Sequence, residues 1–210
     1  RCVSSNPILT DIFINNNSAG NFGGGLLVEY NSSPILSNVV ISGNYAYHGG
    51  GISCGWGFSS PIFTNVTITN NSSSYGGGIN CGEECNASFV NCIFWDDSSE
   101  EIFIRDENGA NDCIISISYS DIQGGEDGIV TNGNGTVNWG DGNIDSDPLF
   151  TDPDNDDYSL QWGSPAIDSG DPESDLDLDG TVADMGSYFF NQNAPTPPTF
   201  SITILNYNTV

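Results

Sequence analysis

"SPILSNVVISGNYAYHGGGISCGWG", residues 33–57, has a close copy on either side of it. "NPILTDIFINNNSAGNFGGGLLVEY" occupies residues 6–30 and "SPIFTNVTITNNSSSYGGGINCGEE" residues 60–84, so Pro7, Pro34 and Pro61 stand 27 residues apart. A worn fourth copy, "ASFVNCIFWDDSSEEIFIRD", begins at Ala87, and a fifth, "CIISISYSDIQGGEDGIVTNG", at Cys113. A fixed period of this length marks a solenoid, in which each repeat buries its apolar side only against its neighbours. The runs are short, β-branched and bounded by Asn, Gly and Ser, which selects strands over helices.

Within each copy the apolar positions fall at Leu9, Ile12, Ile14; Leu36, Val39, Ile41; Phe63, Val66, Ile68; and Val90, Ile93, Trp95. Spacings of three and then two do not fit one flat strand, but fit two short strands around a corner. The 27-residue step puts the corner at Asp11, Asn38, Asn65 and Cys92, where stacked Asn side chains would satisfy the turn. After a variable loop come Gly23–Gly25, Gly49–Gly51 and Gly76–Gly78. No Lys-Ser/Thr and no helical pattern follows them, so they read as close packing between rungs and not as a phosphate loop. A third strand then points Leu26 and Val28, Ile52 and Cys54, Ile79 and Cys81 inward. The expectation is an all-β, right-handed parallel β-helix of about five 27-residue rungs, stacked at about 4.8 Å.

The chain has 210 residues, with 28 Asp and Glu against Arg1 and Arg105 and no Lys, for a formal charge of −26. Such a surface repels nucleic acid and anionic membranes. No apolar run is long enough to span a bilayer. Without an initiator Met or a signal peptide, the chain reads as a mature or trimmed fragment. Half of the acids, 14 of 28, lie between Asp141 and Asp184. The expected organisation is rungs over 1–140, an acidic C-terminal cap over 141–190, a Pro-rich linker over 191–199, and a strand tail or stub of a further domain over 200–210. Phe150, Tyr158, Leu160, Trp162, Ile167, Met185, Tyr188 and Phe189 would close the exposed last rung. The alternating tail "FSITILNYNTV" offers a strand for self-assembly on the free edge of a second molecule.

The rungs "SSPI" and "TNVTITNN" to "YGGGI", followed in order by "NCIFWDD" (91–97), "YSDIQGG" (119–125), "GNIDSDPLFTDPDNDDYSLQWGSPAIDSGD" (142–171) and "DLDLDGTVADMGSYFF" (175–190), resemble secreted bacterial right-handed parallel β-helix repeat proteins. These belong to the pectate-lyase-like superfamily in the broad sense. The resemblance covers roughly residues 6–190. It implies the β-helix, export, and a cell-surface or extracellular structural or adhesive role, since such proteins often end in an anchoring domain and most carry no assigned activity. The family often has Arg where Val182 stands here, which alters the charge balance of the acidic turn.

"DLDLDG" sets Asp175, Asp177 and Asp179 at alternate positions before Gly180, like the first half of a calcium loop. The Thr181 carbonyl and Asp184 would complete it, in place of the usual Glu; the bland alternative is a hydrated turn capped by its own Asp side chains. Asp152, Asp154 and Asp156 form a second, looser cluster. A uronate lyase needs basic residues, and only Arg105 and His48 are available. A hydrolase of neutral glycans needs two or three carboxylates, for which Asp96, Asp97, Glu100, Glu101, Asp106 and Glu107 are the candidates. Tyr45, Tyr47, Trp56 and Tyr75, with Phe58, are candidates for stacking on a surface glycan, or for packing of stacked turns. Among the six cysteines, Cys54 and Cys81 share a rung position and either bridge or remain core thiols. Cys81 and Cys85 are the rival pair, and Cys92 reads as a buried thiol.

Overall fold

Fifteen short strands follow from this pattern: β1 (Cys2–Val3), β2 (Ile8–Asn15), β3 (Leu26–Glu29), β4 (Ile35–Ser42), β5 (Ile52–Gly55), β6 (Ile62–Thr69), β7 (Ile79–Cys81), β8 (Asn86–Val90), β9 (Ile93–Trp95), β10 (Ile102–Ile104), β11 (Ile114–Ser118), β12 (Asp121–Ile122), β13 (Thr136–Trp139), β14 (Phe150–Asp152) and β15 (Asp157–Leu160). They come from a computed structural model that describes residues 1–82, 84–105 and 113–194. The chain is a parallel β-solenoid. One face stacks β1, β3, β5, β7 and β10 in order, and five strands in one column make about four turns. The expected fifth rung is incomplete: β11 and β12 extend the larger sheet, but its third strand shrinks to one bridge between Phe103 and Val130.

In the larger sheet β2, β4 and β6 run in register, with Ile12 beside Val39 and Val39 beside Val66. Each bends at a residue of positive φ, Asp11, Asn38 or Asn65, as the broken apolar spacing requires. The fourth corner is Asn91 (φ 54°) and not Cys92. The fourth copy is one residue short, so Thr67 pairs with Ile93 and Phe63 with Phe89. Phe89, Cys92 and Phe94 therefore fill the core, in place of the expected Val90, Ile93 and Trp95. Because side chains alternate across a strand, a slip of one residue exchanges the inner and outer faces. Phe63 and Phe89 stack with ring centres 4.6 Å apart, one turn above the other.

The asparagine ladder is also elsewhere than at the corner. Asn17, Asn44, Asn71 and Asp97 form it in the turn before the glycines. Each of the first three donates its backbone N–H and side-chain N–H₂ to the Oδ1 of the next, at 2.6–3.0 Å. The Nδ2 of Asn44 and of Asn71 also bonds the carbonyl of Ile14 and of Ile41, respectively. Opposite the ladder, a Cβ on Gly24, Gly50 or Gly77 would run into backbone oxygens of the next turn, which is why glycine stands there.

Within residues 141–190, the stretch 141–146 continues the last turn, where Ile144 bridges Asp121, and the rest lies along the flank. Phe150, Tyr158, Leu160, Ala166 and Met185 pack against Val40 and Ile93, which face outward from the side of the solenoid. Ser187 donates its N–H to Thr67 Oγ1 at 3.0 Å, and Asp171 donates its N–H to Asn91 Oδ1 at 2.7 Å. The segment is a lateral cover. It makes Val40, Thr67 and Ile93 fully buried, while their counterpart Phe13 in the first turn stays 42% exposed. Trp162, Tyr188 and Phe189 remain exposed, although the Tyr188 ring lies 6.4 Å from that of Phe13.

Cys54 and Cys81 stack in register as expected, but the disulfide joins Cys54 to Cys85, with Cα atoms 6.1 Å apart. Cys2, Cys81, Cys92 and Cys113 are buried thiols, and burial pushes the Cys92 thiol up to about 12.

Candidate functional site

The residue just before each triple glycine, or its equivalent, is a ring: Phe22, His48 and Tyr75 bridge one another from turn to turn. Solenoid translation stacks identical positions at close to van der Waals ring spacing. Phe22 and His48 lie 4.9 Å apart and nearly parallel at 14°, and His48 and Tyr75 lie 5.2 Å apart at 19°. Phe103 extends the row, tilted, 5.3 Å from Tyr75. Trp56 meets Phe22 edge-on at 4.4 Å, and Tyr47 meets both His48 and Tyr75 edge-on. Arg105, buried, lays its guanidinium over Gly82, where any Cβ would strike it, with its central carbon 4.7 Å from the Trp56 ring and 5.2 Å from that of Phe22. Both distances are in cation–π range.

Phe22, His48, Trp56, Tyr75, Phe103, Arg105 and Asn132 thus line an open groove of about 540 Å³. Burial and the nearby Arg105 charge lower the His48 pKa, so the imidazole is neutral at neutral pH. A hydrogen bond with Tyr75 raises that of Tyr47. Phe22 and His48 spend their faces on each other, so the groove is lined by ring edges, the Tyr75 hydroxyl, the Asn132 amide and the Arg105 guanidinium. Of the glycan-stacking candidates, the fold brings Trp56, Tyr75 and Tyr47 together. Tyr45 belongs to a different row, bridging Ser18 and Ser72, and does not line the groove. Phe58 is exposed outside it. The sequence pattern alone pointed to His48 and Arg105 only as lyase bases and did not single out Phe22. The 27-residue alignment of the residues preceding the glycines is the signal that could have found the row.

The acids do other work. Asp184 accepts the N–H of Asp168 at 2.7 Å on one oxygen and of Phe190 at 2.5 Å on the other. Asp179 likewise takes Thr181 and, at 2.8 Å, Gln192, and Asp177 takes the N–H of Asp184 at 2.9 Å. Asp175 is exposed. Burial raises Asp184 to about 6 and raises Asp177, whereas the Gln192 and Thr181 bonds lower Asp179. The second cluster is a hairpin turn between β14 and β15: Asp152 accepts from Asn155, Asp156 (φ 61°) from the Tyr158 hydroxyl, and Asp154 is exposed. Among the described residues no three His, Cys, Asp or Glu side chains converge as a metal site.

The candidate hydrolase acids are likewise engaged in structure. Asp97 ends the asparagine ladder, and Glu101 accepts the Asp97 N–H at 3.2 Å. Both are buried, and burial pushes both pKa values up, Glu101 the more because the Asp97 charge is beside it. Glu100 accepts the Gly76 N–H, while Asp96 is exposed. Asp106 and Glu107 lie outside the described residues, as does the tail over 200–210.

No protein-family model, curated protein or solved structure matches the chain.

Proposed function

We propose that this chain is a non-catalytic module of an extracellular or cell-surface protein, a β-solenoid scaffold that presents its aromatic groove to a neutral glycan. The observation that carries the reading is the groove itself, where the repeat lines up rings from successive turns, with the Tyr75 hydroxyl among them, into one continuous surface. A saccharide needs this combination of apolar edges and hydroxyl partners. The net charge of −26 argues for a neutral ligand over a polyanion. The Cys54–Cys85 disulfide supports an oxidising compartment, and the likeness to secreted β-helix surface proteins agrees with it. Asp97 and Glu101 are buried away from any substrate, which favours a scaffold over the alternative glycan hydrolase.

The test is titration with neutral β-linked hexasaccharides of glucose, xylose and N-acetylglucosamine, followed by tryptophan fluorescence and calorimetry. We expect saturable binding to at least one, weakened at least tenfold by Trp56→Ala and by Tyr75→Ala. No binding at millimolar ligand, or binding indifferent to both substitutions, overturns the groove. Release of reducing ends that stops with Asp97→Asn would favour the hydrolase. Calcium is a separate part of the proposal, as a stabiliser of the cover at Asp175, Asp177, Asp179, Thr181 and Asp184. Saturating calcium at 100 times its Kd would add about 2.7 kcal/mol. A Tm unchanged between calcium and chelator removes it.

A further inference from the structure

We infer that Cys81 and Cys113 form a second disulfide, stacked one turn along from Cys54–Cys85. Two columns of the solenoid flank the same turn. In the first, Cys54 of β5 pairs in register with Cys81 of β7. In the second, Cys85 and Cys113 immediately precede β8 and β11. Those strands pair Asn86 with Ile114, and the Ile114 N–H donates to the Cys85 carbonyl at 2.8 Å. The known bridge crosses from the first column to the second over a separation of 31 residues. One turn further along, the same crossing connects Cys81 to Cys113, and 113 − 81 = 32 residues.

The two columns do not carry facing cysteines earlier in the chain. The first has Val28 one turn before Cys54. The second has Ser32 and Ser59, whose backbone N–H and Oγ bond each other at 3.3 Å. Cys81 and Cys113 are both fully buried, and the Cys113 thiol beside Cys81 acts on its titration. That neighbour, with burial, raises the Cys81 pKa well above its ordinary value, so the thiol is a poor nucleophile once the core has closed. The bond therefore forms during folding.

The oxidant is a small-molecule disulfide, RSSR. The Cys81 thiolate attacks one sulfur and releases RS⁻, leaving a mixed disulfide. The Cys113 thiolate then attacks the Cys81 sulfur and releases the second RS⁻. Two protein thiols are oxidised, RSSR is reduced to two RSH, and the two thiol protons end on the released thiolates. One rival exists. Cys81 Sγ lies 3.8 Å from Cys85 Sγ, so exchange into Cys81–Cys85 would free Cys54 and leave Cys113 unpaired.

The experiment refolds the whole chain from urea in oxidised and reduced glutathione, then alkylates it in urea without reductant. Intact mass should show two labelled cysteines, Cys2 and Cys92, and a non-reducing digest should contain a peptide joining Cys81 to Cys113. Four labelled cysteines after this treatment, or Cys81 joined to Cys85, overturns the inference. A Cys54→Ala/Cys85→Ala variant removes the rival partner: it should still label only Cys2 and Cys92. Four labels in that variant, with the strand circular dichroism of the parent, also count against the second bridge.

Discussion

In the solenoid, Asn44 bonds Asn71 one turn away, and Asn71 bonds Asp97 one turn further on. In the lateral cover, Asp177, Asp179 and Asp184 do the equivalent work with carboxylates that hold backbone N–H groups of nearby turns. The first device is neutral as far as Asn71 and repeats, so its amide-to-amide link adds to stability at any pH. The second is charged and local, so protonation acts on it. The two meet at Asp97, a carboxylate standing at an asparagine position. The comparison shows that the repeat needs an amide there only for its hydrogen-bond pattern, because one Oδ of Asp97 accepts the two bonds that an Asn would accept.

The comparison predicts unequal losses. Asn71→Ala removes a link with buried bonds to the turns on both sides. It should cost about 3 kcal/mol, the upper range for stranding buried polar groups, read as a drop in the urea midpoint. A cost near zero would mean that the ladder is decorative.

Asp97→Asn should act in the opposite sense. The folded-state pKa of Asp97 is raised above its unfolded value, as are those of Glu101 and, at about 7, Asp121. Stability from such groups is fully present below the unfolded pKa and is lost as pH rises through the folded one. The protein should therefore be more stable at pH 5 than at pH 8. Asp97→Asn should recover on the order of 2 kcal/mol at pH 8 and little at pH 4. A stability profile with a maximum at pH 8 in the parent chain would contradict the burial of these acids.

The smallest effect belongs to the cover. Asp179 has a lowered pKa, so its contribution is present above the unfolded value and lost as pH falls through the folded one. Asp179→Ala should lower Tm slightly at pH 7 and not at all near pH 2. An equal drop at both would assign the residue a packing role.

Much of this was legible in the chain. The period, the glycine contacts, the first three corners and the stacking of Cys54 on Cys81 all follow from residues 6–84, where three copies agree. The fourth copy misled by one position, since extending the 27-residue step past Asn65 lands on Cys92 and the fold turns at Asn91. The asparagine ladder was present as Asn17, Asn44, Asn71 and Asp97. It was assigned to the corner because a corner also favours Asn.

The sequence by itself determined the solenoid, because in a translational repeat each residue meets its own image and spacing alone identifies neighbours. Tertiary structure decided the rest: the cover on the flank, the Cys54–Cys85 bridge across columns, and the guanidinium of Arg105 reaching Trp56 and Phe22. Those contacts join unlike residues, such as Ser187 to Thr67 across 120 positions. Their strength comes from burial and geometry that leave no period in the chain.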